Sequence, residues 1–400
     1  MLLLTVLTAA LVYEARQTGV AADEPSHLLS AGLYWRGQDT LKPRDMPPLI
    51  KLVGGWPSRF IEWPDLEADG AAWATQHEWL ISQSVFRRMA PGELNRWIFG
   101  SRLALLVFPL ASTWLVWKWG RELFSPRVGL TLAALFAVEP TALGHGALFK
   151  NDHAATFGFL ASAYAAWRYW RQPTSVRAGW LGGAALTAVL AKLSMLIVPP
   201  AAILLAVRRP THAAIVAAVM YLGVVAACQF DARPIQPAEV AALERDVQIP
   251  RFYVAAARAA QWFPVPQLLW QGVLAIVKSN TTNNSIWLRG AVHHQGDPAY
   301  FVWALALKSP LGLQVLFLAF LGYWARRGLP REAWFLIAPA GLYFLIASMS
   351  ALQFGVRLVL PCLPFVLLMC GYVLGNVRRE WSWAVLLVVA GSSARAFPLG

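Results

Sequence analysis

The sequence predicts an all-α, polytopic membrane protein with about eleven transmembrane helices and two long non-cytoplasmic loops. Three observations predict it. Of the 400 residues, 58% are hydrophobic and only 14% charged, which lies outside the range of soluble domains. Apolar runs long enough to cross a bilayer, about 20 residues each, recur along the chain. The basic residues of the short connections also collect on one side. The net charge of +13 does not point to nucleic acid, because Lys and Arg occur in short clusters between apolar runs rather than as one basic face. Cys228, Cys362 and Cys370 all sit in apolar stretches. An odd number without metal-ligand spacing argues against a disulfide framework and against a zinc site, and leaves them as packing residues.

The first run, Leu2 to Val12, is read as a spanning helix extending to about Thr18. The competing reading is a secretory leader cut near Val20-Ala21-Ala22. No Lys or Arg precedes the run, however, and cleavage there would strand Asp23 at a new N-terminus. Further runs follow at Phe99 to Trp119, Val128 to Leu143, His153 to Trp170, Ala213 to Phe230, Tyr300 to Trp324, Ala333 to Ser350 and Val359 to Gly375. Gly179 to Val207 is broken by Lys192 and Pro199-Pro200. Two short segments folded back on each other suit it better than one kinked span, because Arg208-Arg209 then return to the side of Arg171 and Arg177. The last run, Trp381 to Ala390, is short.

Orientation follows from the short connections. Lys118, Arg121, Arg127, Arg168, Arg171, Arg177, Arg208, Arg209, Arg326, Arg327, Arg331, Arg378 and Arg379 share one side, and Lys150 and Arg357 take the other. By the positive-inside rule the first side is cytoplasmic. The chain then forms a single transmembrane unit over 1–400, with outer loops at 21–98 and 231–299. Those loops hold 15 of the 21 acidic residues, so they are where water-borne chemistry is expected. Within the first loop, Glu78 to Arg88 spaces Trp79, Leu80, Val85 and Phe86 as an interfacial helix does, and equally as a loop helix packed on its neighbours.

Ionisable groups at membrane depth are costly and point to function. Asp23-Glu24 stands at the mouth of the first span, with His27 one turn along and Lys51 after Pro47-Pro48. Asp152 occupies a very short outer turn, Lys150-Asn151-Asp152. Lys308 lies eight residues into the run from Tyr300, roughly 12 Å along a helix, and Arg357 sits between two spans. Partial desolvation is expected to raise the pKa of Asp23. The bland alternatives are solvated capping for the acids and structural ion pairs for the cations. His293-His294-x-x-Asp297 is a weak metal candidate, since adjacent histidines point apart; loop residues are expected there. Asn280-Thr-Thr282 and Asn283-Asn-Ser285 match glycosylation acceptors as a pattern only. Trp63, Trp73 and Trp287 read as loop aromatics with faces suited to sugar stacking.

Taken in order, the motifs resemble a known family. Asp23-Glu-x-x-His27, Gly32-x-Tyr34-x-x-Gly37 and Pro47-Pro48-x-x-Lys51 are followed by His145-Gly146-Ala147 with Asp152, and by Ala191-Lys192-Leu-Ser194. Then come Phe263-Pro-Val-Pro266, Gly272, Trp287-Leu-Arg-Gly290, Tyr300, Lys308-Ser-Pro310 and Gly355-Val-Arg357-x-x-x-Pro361-x-x-Pro364. Together they resemble the GT-C membrane glycosyltransferases of the protein O-mannosyltransferase and lipid A aminoarabinose transferase type. Met46 and Leu358 depart from that pattern, and a further C-terminal outer segment is expected beyond residue 400. The resemblance implies inverting transfer from a polyprenyl-phosphate sugar to a protein, lipid or glycan hydroxyl on the non-cytoplasmic face. It implies Asp23 as general base with Glu24 and Asp152 as acidic neighbours. Lys308, Arg357 and Lys51 are implied at the donor phosphate, and His27, Tyr34 and Tyr300 at substrate. No resident metal is assigned. A transporter or flippase of lipid-linked sugars is the alternative and would show inverted repeats; a noncatalytic scaffold would need no buried cations facing an acidic cluster.

Overall fold

The computed structural model describes residues 1–37, 46–68, 70–75, 77–281 and 284–396. Helices stand at each expected apolar run, and the strands among the described residues are confined to two short antiparallel pairs. Among the described residues four helices are long and apolar enough to cross a membrane: Pro91–Leu123, Pro210–Ala227, Arg331–Met349 and Val356–Leu374. Pro126–Val138 and Pro140–Gly146 are together as long and apolar, and meet at a 62° bend. The bend has a local cause. Pro140 offers no N–H to continue the helix, and the Glu139 side chain accepts the freed N–H of Ala142 at 2.7 Å, capping the second piece. Ser125 and Thr174 cap the helices that follow them in the same way.

Close packing of small residues sets the bundle. A Cβ at Gly158 would lie 2.6 Å from the Ala188 backbone, and one at Gly129 would lie 2.6 Å from the Trp117 carbonyl. Glycine at those places lets helix backbones touch, as membrane helix interfaces favour. Around them Trp119, Trp167, Phe136 and Phe365 are fully buried in one large core.

The broken run at 179–207 is a helical hairpin. Ser175–Ala191 ends where Lys192 turns extended, and Val198–Ala206 comes back. The Arg209 guanidinium donates to the Pro173 carbonyl at 2.8 Å, so the two ends of the hairpin meet. The run from Tyr300 divides, contrary to expectation. Tyr300–Lys308 stops at Ser309-Pro310 and Leu311–Arg327 begins anew, because Pro310 disfavours helical backbone at Ser309. Lys308 therefore ends a nine-residue helix instead of lying inside a span.

In the first long loop, Glu78–Arg88 is a helix that buries Ile81 and Val85 and leaves Trp79 and Leu80 exposed. The second loop folds around its own small core of Ile235, Val240, Leu243, Ile249 and Tyr253. It also carries a hairpin, Ile286–Leu288 with Ala291–His293, closed by Arg289 and Gly290, both at positive φ. Gln353 ties this loop to the spans through both the N–H and the carbonyl of Asp297. The acceptor-type sequences at 280–285 include residues 282 and 283, which lie outside the described residues. Asn280 itself accepts from Ser350 at 2.7 Å.

Candidate active site

Four chain segments that are far apart in sequence meet at one end of the bundle. Asp23 precedes the helix Glu24–Trp35; Lys150 and Asp152 come from the turn before Asp152–Arg171; Lys192 sits at the break of the hairpin; Arg357 begins the turn Val356–Cys362. Arg357 donates to the Asp23 carboxylate at 2.9 Å, and the Lys150 ammonium lies 3.5 Å from the same oxygen. Lys192 bonds Asp152 at 2.7 Å. Arg357 and His145 act on Asp152 through space, joining the two pairs into one charge cluster. Two carboxylates, Asp23 and Asp152, face three cations, Lys150, Lys192 and Arg357, so the cluster carries one surplus positive charge.

The backbone explains how Arg357 is delivered. Gly355 has φ +89°, which an L side chain adopts only under strain, and its N–H donates to the Tyr300 hydroxyl at 3.0 Å. Downstream, the Leu358 carbonyl accepts from Tyr343, whose hydroxyl also meets Ser194 at 3.2 Å. Arg357 is thus held between two tyrosine contacts. One links it to the helix Tyr300–Lys308, the other to the hairpin break.

Asp23 and Glu24 have opposite surroundings. Asp23 keeps 43% of its side chain exposed. Glu24 has none exposed: its two oxygens take Arg102 Nε at 2.9 Å, Arg102 Nη2 at 2.6 Å, the Phe149 N–H at 2.7 Å and the Ala21 N–H at 2.8 Å. The remaining Arg102 donors go to the carbonyls of Ala15, Thr18 and Gly19. A buried ion pair satisfied this fully positions its surroundings and has no free valence for chemistry. The expected rise in the Asp23 pKa is not found. Burial does push its carboxyl up, but the Arg357 bond and charge, followed by Lys150 and His27, outweigh burial and hold it below the ordinary 3.8.

The remaining sequence-derived positions are dispersed. Tyr34 donates to the Ala227 carbonyl at 2.8 Å and anchors its helix. Lys51 is fully buried, with its carbonyl accepting from Trp35. Lys308 is exposed and among the described residues forms no ion pair with the cluster. Trp63 packs on Trp97 with ring centroids 5.2 Å apart, while Trp287 is exposed. His293 faces Asp297 at 3.5 Å and His294 bonds Ser285, so the adjacent histidines do point apart. Among the described residues no group of three His, Cys, Asp or Glu side chains is placed to hold a metal ion. Sequence reasoning gave Lys192 no site role and passed over Arg102. The signal for both was a cation inside an apolar run, which demands an anionic partner.

The family model described as dolichyl-phosphate-mannose-protein mannosyltransferase matches residues 94–230. Two crystal structures of ArnT from Cupriavidus metallidurans share the fold over 100% of this chain. The one bound to undecaprenyl phosphate has a TM-score of 0.63 at 15% identity. The apo one has a TM-score of 0.59 at 16% identity. The archaeal oligosaccharyltransferase AglB from Archaeoglobus fulgidus, in complex with an inhibitory peptide and a dolichol-phosphate, has a TM-score of 0.50 at 12% identity over 98% of this chain. The chain spans 64% of the ArnT structures and 54% of AglB. No curated protein sequence matches. Helix composition, the family match over 94–230 and the shared architecture agree: the chain is an integral membrane protein that has the fold of the ArnT and AglB structures.

Proposed function

We propose that this protein transfers a sugar, inverting its anomeric centre, from a polyprenyl-phosphate donor to an acceptor hydroxyl on the non-cytoplasmic face. The observation that carries the reading is the Asp23 carboxylate held by Arg357 and Lys150 at the rim of a cluster with surplus positive charge. In the reaction the acceptor oxygen bonds to the anomeric carbon and the bond from that carbon to the phosphate oxygen breaks. The acceptor proton passes to Asp23, and the polyprenyl phosphate departs as an anion. Arg357 and Lys150 take the developing phosphate charge, with Lys192 behind them.

The same two cations explain how a carboxylate of lowered pKa serves as base. When the donor phosphate engages Arg357 and Lys150, they turn from Asp23 towards it, and the proton affinity of Asp23 rises as the donor seats. Asp152 and Glu24 then act by placement. Asp152 fixes Lys192, and Glu24 fixes the turn that presents Lys150. His27 and Tyr300 border the site; Lys51 and Tyr34 are buried and act in the fold. The bound undecaprenyl phosphate of the ArnT structure and the dolichol-phosphate of the AglB structure support this donor class. A mannose donor is favoured by the family match alone.

The deciding experiment incubates the purified chain with polyprenyl-phosphate mannose and polyprenyl-phosphate aminoarabinose, together with acceptor peptides or lipids. Release of free polyprenyl phosphate is followed by mass spectrometry. Release that depends on acceptor and on Asp23 supports transfer. Movement of intact donor between leaflets, without release, supports the flippase instead.

A further inference from the structure

We propose a second site, independent of the catalytic reading: the hollow between the first helix and Pro91–Leu105 binds the phosphate of an anionic membrane lipid, whose acyl chain lies along the first helix. The hollow has a volume of about 470 Å³ and is lined by Arg16, Val20, Asn95, Arg96, Phe99 and Arg102. Arg102 is consumed by Glu24 and by three carbonyls. Arg16 and Arg96 are exposed, and among the described residues neither has an ion-pair partner. The Arg16 guanidinium lies 5.0 Å from the centre of the Phe99 ring, which orients it into the hollow.

Charge asymmetry accounts for the arginines at the opposite end of the bundle, such as Arg326 and Arg327 around another hollow of about 420 Å³. It does not account for Arg16 and Arg96, which line one hollow at the Asp23 end and have no ion-pair partner among the described residues. An anion at that end is the missing counterpart, and a guanidinium pair suits the oxygens of a phosphate.

The first helix says what is attached to that phosphate. Leu2, Val6, Ala9 and Tyr13 are exposed at alternating spacings of four and three, and the next step of the series is Arg16. One helix face therefore runs apolar for most of its length and ends in the cation. Leu2 to Arg16 is about 21 Å of helix, enough to accompany an acyl chain through one leaflet of about 15 Å. A soluble phosphate would have no use for that stripe.

The test titrates the full chain, purified in detergent, with fluorescent phosphatidylglycerol. An Arg16→Gln/Arg96→Gln variant is expected to bind it about tenfold or more weakly. An Arg326→Gln/Arg327→Gln variant should bind as wild type does, phosphatidylcholine should compete poorly, and glycerol phosphate should not displace the lipid. Unchanged binding in the first variant overturns the proposal, as does equal loss in both variants, displacement by glycerol phosphate, or no binding by the wild type. Both arginines are exposed, and equal unfolding temperatures for the two variants and the wild type will show that a loss is local.

Discussion

At the scale of single residues, neighbours in sequence do different work. Asp23 is the accessible carboxylate, and Asp23→Asn is expected to lower transfer about 10²- to 10⁴-fold, the usual contribution of a positioned base, with folding unaffected; near wild-type release of polyprenyl phosphate would remove Asp23 from the chemistry. The pH response follows from the lowered carboxyl. A depressed folded pKa keeps the anion, and the pairing it supports, intact above the ordinary value of 3.8, and loses them as pH falls through the lower folded value. Free enzyme should therefore show no acid limb from Asp23 between pH 7 and 5. In Arg357→Gln the limb should move up towards the ordinary carboxylate range, which a profile of kcat/KM against pH will read. Removing Arg102 leaves Glu24 charged, buried and unpaired. Arg102→Met is expected to cost about 3–5 kcal/mol, visible as a lower unfolding temperature, and Glu24→Gln in the same chain should restore part of it. Asp23, Glu24, Asp152 and Arg357 were legible as candidates because an ionisable group beside an apolar run stands out. Their pairing was not, since Asp23 and Arg357 are 334 positions apart and nothing local records which cation meets which acid.

At the scale of elements, turn chemistry decided what could be read. The hairpin at 179–207 was visible because Lys192, Pro199-Pro200 and Arg208-Arg209 mark its break and its return. The division of the run from Tyr300 was missed because hydropathy passes smoothly through Ser309-Pro310, while the proline alone ends the helix. Close helix approach is also invisible to hydropathy. Gly158→Ala places a methyl against Ala188 backbone atoms that have no rotamer to escape into, and should cost about 1–3 kcal/mol. Gly179→Ala, whose new methyl meets nothing within 4 Å, should be neutral or slightly stabilising. Comparing the two unfolding temperatures separates packing from helix propensity; equal shifts would contradict the close contact.

At the scale of the molecule, the orientation of the bundle is the property that basic-residue placement proposes and that labelling can read directly. Val247 is 99% exposed in the second long loop, and Arg327 lies at the basic end. In oriented vesicles, Val247→Cys should react with a membrane-impermeant maleimide from the non-cytoplasmic side, and Arg327→Cys only after permeabilisation. The native Cys228, Cys362 and Cys370 are buried, so background should be low. The reverse pattern would turn the proposed site to the cytoplasm. One contact has a consequence for the protein's mutational history. Glu24 is gripped at position 149 by a peptide N–H and not by a side chain. Any amino acid there except proline can supply that donor, so variation at 149 is policed by the space around the ring and not by the acid. Tolerance at 24 and 102, where side chains make the bond, should be far narrower, and a saturation library across the three positions would display the contrast.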